Sequence, residues 1–183
     1  NIGTPCVRKL WLEKNSQEQN TFRPEVYHKF AFGDLTEEYL LFLAELSGHE
    51  VIYRQQKVEL EGITGHIDVV IDGMLVDCKS ASSNSFKKFK EGLTTENDSF
   101  GYLTQLGAYH FKAKELPEVI FKNQAAFLVF DKQHGHIYLD IHDFSTINYS
   151  ELFKQRKEQI ASDTIPDRHF EPVPDGYTKD GEF

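Results

Sequence analysis

Residues 65–80, GHIDVVIDGMLVDCKS, read as two apolar β-strands joined at Asp72-Gly73, a dipeptide suited to a two-residue hairpin turn. Three charged residues interrupt or adjoin the apolar runs: Asp68, Asp77 and Lys79. Alternate side chains of a strand share a face, so Asp77 and Lys79 point one way and Cys78 the other. A turn at Asp72-Gly73 brings the Asp68 strand alongside, gathering two carboxylates and one ammonium. Like charges held close in a buried site raise one another's pKa unless a cation neutralises them, and one lysine offsets only one carboxylate. Oxygen ligands from two or three carboxylates are what Mg²⁺ or Mn²⁺ require. The plainer alternative is a salt-bridged strand pair at a sheet edge. Asp72 is assigned to the turn and left out of the site.

Working outward, residues 50–61 read as a preceding strand, 64–72 and 74–80 as the hairpin, and the three together as an antiparallel meander. Upstream, 4–15 suggests a short helix with Leu10 and Trp11 on its apolar side and Arg8 and Lys9 free for solvent or a partner. Between Pro24 and Ser47, apolar residues including Tyr27, Phe30, Leu35, Tyr39, Phe42 and Leu46 recur at helical steps before Gly48, predicting a long helix with a break near Gly33. Downstream, 83–99 predicts a short helix and loop carrying Lys87, Lys88 and Lys90. A helix follows over 99–116, then strands over 123–132 and 136–142, and a charged amphipathic helix over 148–163. The expected fold class is α/β (α+β mixed), with a central mixed sheet flanked by helices. Residues 1–165 are expected to form one domain, with an extended or disordered tail over 166–183.

A length of 183 residues suits one domain with a real core. No long apolar run or signal segment occurs, so a soluble, cytoplasmic protein without a membrane partner is expected. Two cysteines, Cys6 and Cys78, make neither a disulfide framework nor a four-cysteine metal site. The formal charge of −9 argues against non-specific coating of nucleic acid but leaves room for a local basic patch. The chain opens on Asn1 and closes on YTKDGEF, which reads as a portion of something longer.

The order Gly65-His66-Ile67-Asp68, a short apolar strand, then Asp77-Cys78-Lys79 resembles the PD-(D/E)xK nuclease superfamily, and more narrowly its RecB-like exonuclease branch, which includes CRISPR-associated and phage exonucleases. FGDLTEEYL (32–40) resembles the branch's upstream helix, which maps a metal ligand onto Glu37. QLGAYH (105–110) supplies Gln105 and Tyr109 at the spacing of its Gln-x-x-x-Tyr motif. Taken singly, Glu37 also reads as a solvated helix residue and Gln105 with Tyr109 as core packing.

The resemblance implies a restriction-endonuclease-like core and a metal-dependent deoxyribonuclease, an exonuclease leaving 5′-phosphates in DNA repair, recombination or phage DNA processing. Metal ligands would be Glu37, Asp68, Asp77 and the Cys78 backbone carbonyl, holding Mg²⁺ or Mn²⁺. Lys79 would orient water or offset phosphate charge, with Gln105 and Tyr109 beside it. Lys87, Lys88 and Lys90 are placed to meet DNA phosphates, or else form a solvated helix face. His66 is expected in the core or behind the site. PCVRKLW (5–11) resembles the segment that supplies one cysteine to an iron-sulfur cluster, making Cys6 a ligand only if a cysteine-rich tail follows. The partner is DNA with free ends, in a bacterial, archaeal or phage-infected cell. The alternative is a non-catalytic DNA-binding subunit of a recombination or CRISPR spacer-acquisition complex. A metal enzyme acting on a small phosphorylated molecule is weaker, because no glycine-rich phosphate loop is present.

Overall fold

Asp72 and Gly73 both take left-handed backbone angles, with φ of 48° and 81°. That is the twist a two-residue hairpin turn needs. The computed structural model describes residues 6–15, 22–60 and 63–168. Around this turn, β4 (Val69–Ile71) and β5 (Met74–Ala81) pair antiparallel, with Val69 opposite Val76 and Ile71 opposite Met74. The same register carries Asp68 to the level of Asp77. Asp72 holds the turn in place by accepting from the Glu50 N–H at 2.9 Å and facing His49 Nδ1 at 2.6 Å.

The chain first forms α1 (Val7–Asn15), α2 (Pro24–Leu46), β1 (Val51–Ile52), β2 (Gln56–Leu60) and β3 (Ile63–Ile67). After β5 come α3 (Ser83–Lys90), α4 (Tyr102–Ala113), β6 (Gln124–Asp131), β7 (Ile137–Asp143) and α5 (Tyr149–Ala161). The main sheet runs β1-β4-β5-β6-β7, with β5 and β6 parallel and the other neighbours antiparallel. A parallel pair needs a crossover, and α3 and α4 supply it. This is the mixed sheet flanked by helices that the sequence predicts.

Alternation along β5 divides the core. Leu75 meets Phe127 and Val129 of β6, Phe86 and Phe89 of α3, Leu106 of α4 and Phe153 of α5 in one buried cluster. Val76 faces the opposite way, with Val69, Ala126 and Leu41 of α2. Asp77 and Lys79 share a strand face with Leu75, the α3/α4 side, while Cys78 packs with the α2 side.

Three expectations are corrected. The meander is not continuous: Tyr53 and Gln55 adopt positive φ of 55° and 49°, splitting the first strand into β1 and β2. The second strand breaks at Asp68, and β2 and β3 form a separate two-stranded ribbon. The two breaks lie together, because the Gln55 N–H donates to the Asp68 carbonyl at 2.9 Å.

Second, α2 runs without a break through Gly33, around which a methyl would meet nothing. Third, its expected apolar face lies in solvent. Thr36, Leu40 and Leu41 are buried, whereas Leu35 and Leu46 are 69% and 71% exposed, and Tyr39 and Phe42 are also exposed. This helix is apolar around most of its circumference, so periodicity does not choose its inward face, and the sheet covers only one stripe.

At the ends of the chain, α1 packs on α5. Leu10 is buried, Trp11 Nε1 donates to the Ser162 carbonyl at 2.8 Å, and Arg8, expected to be free, donates to the Pro166 carbonyl at 2.7 Å. The expected tail over 166–183 lies mostly outside the described residues. Among the described residues no helix is long and apolar enough to cross a membrane.

Candidate active site

Asp77 is 4% exposed and its Oδ2 is held by the Lys79 ammonium. Asp68 sits where β3 gives way to β4, and its Oδ2 accepts from the Cys78 N–H at 2.8 Å. Burial, then the Asp77 charge, push the Asp68 carboxyl up from 3.8 to about 7, against the opposing pull of Lys79. For Lys79 burial alone would lower the pKa, but Asp77 and Asp68 outweigh it and the group is held above the ordinary lysine range. Its ammonium lies 5.3 Å from the centre of the Tyr102 ring and 6.0 Å from that of Phe127. Lys79 is therefore a fixed, fully charged cation walled by aromatic rings.

Glu37 reaches toward this group from α2. Burial raises its pKa; the hydrogen bond from Gln55 opposes this, and the Glu38, Asp77 and Asp34 charges add to it. Its Oε1 accepts from Gln55 Nε2 at 2.6 Å. Sequence reasoning passed over Gln55, which stands at the strand break, bonds Asp68 through its backbone and Glu37 through its side chain. A non-glycine residue with positive φ is the only signal, and it is a backbone property that sequence does not display.

Among the described residues, no three His, Cys, Asp or Glu side chains already converge as a cation site. The reason is local: Gln55 occupies Glu37 and Lys79 occupies Asp77. The donor chemistry nonetheless fits a hard divalent cation. Burial first, with neighbouring carboxylate charge adding to it, raises both Glu37 and Asp68 and leaves Asp68 part-protonated near neutrality.

Gln105 and Tyr109 share a face of α4, with Gln105 Nε2 3.4 Å from the Tyr109 hydroxyl. Tyr109 lies over Gly65 of β3, where a Cβ would stand 2.7 Å from its ring. Gly65 is thus required for a close helix-to-strand approach. The α4 residue that reaches Lys79 is Tyr102, a position the motif reading missed; its signal was the i, i+3, i+7 run of Tyr102, Gln105 and Tyr109.

The α3 lysines separate. Phe86 and Phe89 bury one side of α3. Lys88 lines a cleft of about 210 Å³ together with Lys79, and donates to the Asn97 carbonyl at 3.2 Å. Lys87 pairs with Glu91 at 3.6 Å in solvent, and Lys90 is exposed. His66, expected in the core or behind the site, is exposed. Burial, then the Asp68 charge, raise the Cys78 thiol far above its ordinary value, so it is inert as a nucleophile. Cys6 is a half-buried free thiol just before α1.

Two other features are separate from this site. A larger apolar groove of about 420 Å³ lies between α2 and the sheet, lined by Leu40, Leu43, Met74, Val76 and Leu139, and holds none of the site acids. Ser83, Asp131 and His134 also converge, but His134 Nδ1 faces both Ser83 Oγ at 2.9 Å and Asp131 Oδ2 at 3.0 Å. A serine-histidine-aspartate relay uses the two ring nitrogens separately, so this cluster ties the β6–β7 turn to α3 instead.

No protein-family model and no curated protein matches the chain in sequence. Among solved structures, the alkaline exonuclease LHK-Exo of Laribacter hongkongensis superposes with a TM-score of 0.52 at 10% identity, covering 84% of this chain and 73% of that one. The two share a fold. A phage-related exonuclease from Haemophilus somnus 129PT gives a TM-score of 0.46 at 16% identity, covering 84% of this chain and 75% of its own. SSO0001 gives 0.43 at 12% identity, with 84% and 83% covered.

Proposed function

We propose that the chain is a divalent-metal-dependent deoxyribonuclease of the PD-(D/E)xK type, acting as an exonuclease on DNA with free ends. The observation that carries this reading is the hairpin, where Asp68, level with Asp77, and an ion-paired Lys79 sit in the fold shared with an alkaline exonuclease. Asp68, Asp77 and Glu37, with the Cys78 carbonyl, would hold Mg²⁺ or Mn²⁺. When bound, that ion supplies charge for the scissile phosphate and acidifies a water.

Each protein group has its own task. Lys79, kept charged by two aspartates and shielded by Tyr102 and Phe127, offsets negative charge that builds on the phosphate oxygens. Asp68, whose carboxyl is raised to about 7 by burial and the Asp77 charge when no ion is bound, would give up its proton as the ion binds and serve as a ligand. Gln55 positions Glu37, and the Gly65–Tyr109 contact positions α4 against the ribbon. Lys88 meets the phosphate next to the cut from its place in the Lys79 cleft. The non-catalytic alternative gives no reason to bury an acid pair beside an aromatic-walled lysine, an arrangement that costs stability.

The test is incubation with Mg²⁺ or Mn²⁺ and three DNAs: linear duplex, linear single strand and closed circle. Degradation of linear forms to 5′-phosphorylated products, with circles spared, is expected. Failure to cut any DNA or RNA with either metal sinks the enzyme reading, and efficient cutting of circles sinks the exonuclease part alone.

A further inference from the structure

Three rings form a ladder from core to solvent beside the candidate site. Phe89 of α3 is buried and stacks on Tyr102, with centroids 6.3 Å apart and planes 25° apart. Tyr102 stacks in turn on Phe100, at 5.3 Å and 23°. Phe100 is 62% exposed, so its far side meets water. Single exposed apolar residues need no explanation on a protein surface. What sets Phe100 apart is how it is held and what stands next to it.

Its backbone is fixed. The Asp98 carboxylate accepts from the Phe100 N–H at 3.3 Å and from the Leu103 N–H at 2.8 Å, which caps the first turn of α4. Gly101, between Phe100 and α4, takes the left-handed φ of 74° that closes this turn. With Tyr102 behind the ring, Phe100 is presented already ordered, so a ligand that covers it bears little further ordering cost.

Phe100 also lines the 210 Å³ cleft that holds Lys79, Lys88 and Lys132. Lys79 is paired with Asp77, but Lys88 and Lys132 add two further ammonium groups to the cleft, a local basic patch suited to phosphate on a chain of net charge −9. Asp98 lines the same cleft, its carboxylate oxygens accepting from the two backbone N–H groups, and Lys88 and Lys132 outnumber this one acid. Tyr102 contacts both Lys79 and Phe100, so one ring separates the phosphate-binding cation from the exposed aromatic face. Flat aromatic faces beside a basic groove bind nucleobases by stacking, and a base offers its face only where it is unpaired.

We propose that Phe100 is a stacking platform for an unpaired nucleobase next to the phosphate held at Lys79. The protein therefore takes a single strand or a frayed end into the cleft in preference to an intact duplex. This rests on the nuclease reading and names the form of substrate that reading leaves open.

The probe is a 12-nucleotide single-stranded DNA carrying 2-aminopurine, titrated in EDTA so that binding is read without cutting. Wild type is expected to quench the fluorophore by stacking. Phe100→Ala and Phe100→Leu should lose the quench and bind about tenfold more weakly, and Phe100→Trp should restore both. The leucine and tryptophan variants decide the matter should the alanine variant prove unstable. On an abasic strand of the same length, all four proteins should bind alike, as contacts to phosphate alone predict. With Mn²⁺, KM for the oligonucleotide should rise in Phe100→Ala and return toward the wild-type value in Phe100→Trp.

Equal quenching and equal affinity in wild type and Phe100→Ala overturn the stacking site while leaving the nuclease reading intact. Wild type that binds and quenches but cuts nothing overturns the nuclease reading and leaves the platform standing. Wild type that neither binds nor cuts overturns both.

Discussion

Replacing Asp68 by asparagine should stabilise the protein in the absence of divalent metal. An aspartate raised from 3.8 to about 7 by folding has its charged form disfavoured in the native state. Between those values the unfolded chain has already released the proton that the folded chain retains, so stability falls as pH rises through the window. Below 3.8 the penalty vanishes and above 7 it is complete. The full shift corresponds to about 4 kcal/mol at pH 8 and about 2 kcal/mol at pH 5. Asparagine keeps an oxygen for the Cys78 N–H, so the local bond survives while the charge is removed. Thermal unfolding in EDTA should then show the variant melting higher by on the order of 10 °C at pH 8 for a chain of this size. The advantage should shrink toward pH 5, and Mg²⁺ should narrow it by stabilising wild type more than the variant. An Asp68→Asn protein no more stable than wild type at pH 8, or a gain independent of pH, would refute the picture of an Asp68 carboxylate whose charge is disfavoured by burial and by Asp77.

Other consequences concern neighbouring groups. Lys79→Met should reduce metal-dependent cutting about a hundredfold or more. Because Lys79 holds the Asp68 pKa down, its loss should also raise the pH at which the Asp68 carboxyl titrates in EDTA, read by NMR. Gly65→Ala drives a methyl to 2.7 Å from the Tyr109 ring and should destabilise by about 1–3 kcal/mol in urea unfolding, with most of the loss recovered in a Tyr109→Ala background. Lys88→Ala should lower the slope of log affinity against log salt for DNA by about 1, whereas Lys87→Ala, whose ammonium faces Glu91, should change it less.

The hairpin was legible because its determinants are local. Asp72-Gly73 selects the turn, the turn selects the register, and the register places Asp68 level with Asp77. Strand alternation likewise put Asp77 and Lys79 on one face. The inward face of α2 was not legible, since Tyr39 and Leu40 are both apolar neighbours and only contact with the sheet decides which is buried. Tyr102 escaped notice for a similar reason: its meeting with Lys79 joins α4 to β5 across a long stretch of chain. The strand breaks at Tyr53–Gln55 and at Asp68 were invisible because the Gln55–Asp68 backbone bond that joins them, and the positive φ of Tyr53 and Gln55, exist only in the folded chain.

By itself, then, the sequence determined the alternation of helices and strands and the hairpin that brings Asp68, Asp77 and Lys79 together, all properties of short segments with a fixed period. Tertiary structure decided the raised pKa of Asp68, because burial and the distances to Asp77 and Lys79 exist only once the sheet closes. It also decided that Gln55 holds Glu37, that Tyr102 walls Lys79, and that Phe100 is left standing at the rim of the cleft. Each of these depends on which surfaces meet, a long-range outcome of packing that no local pattern encodes.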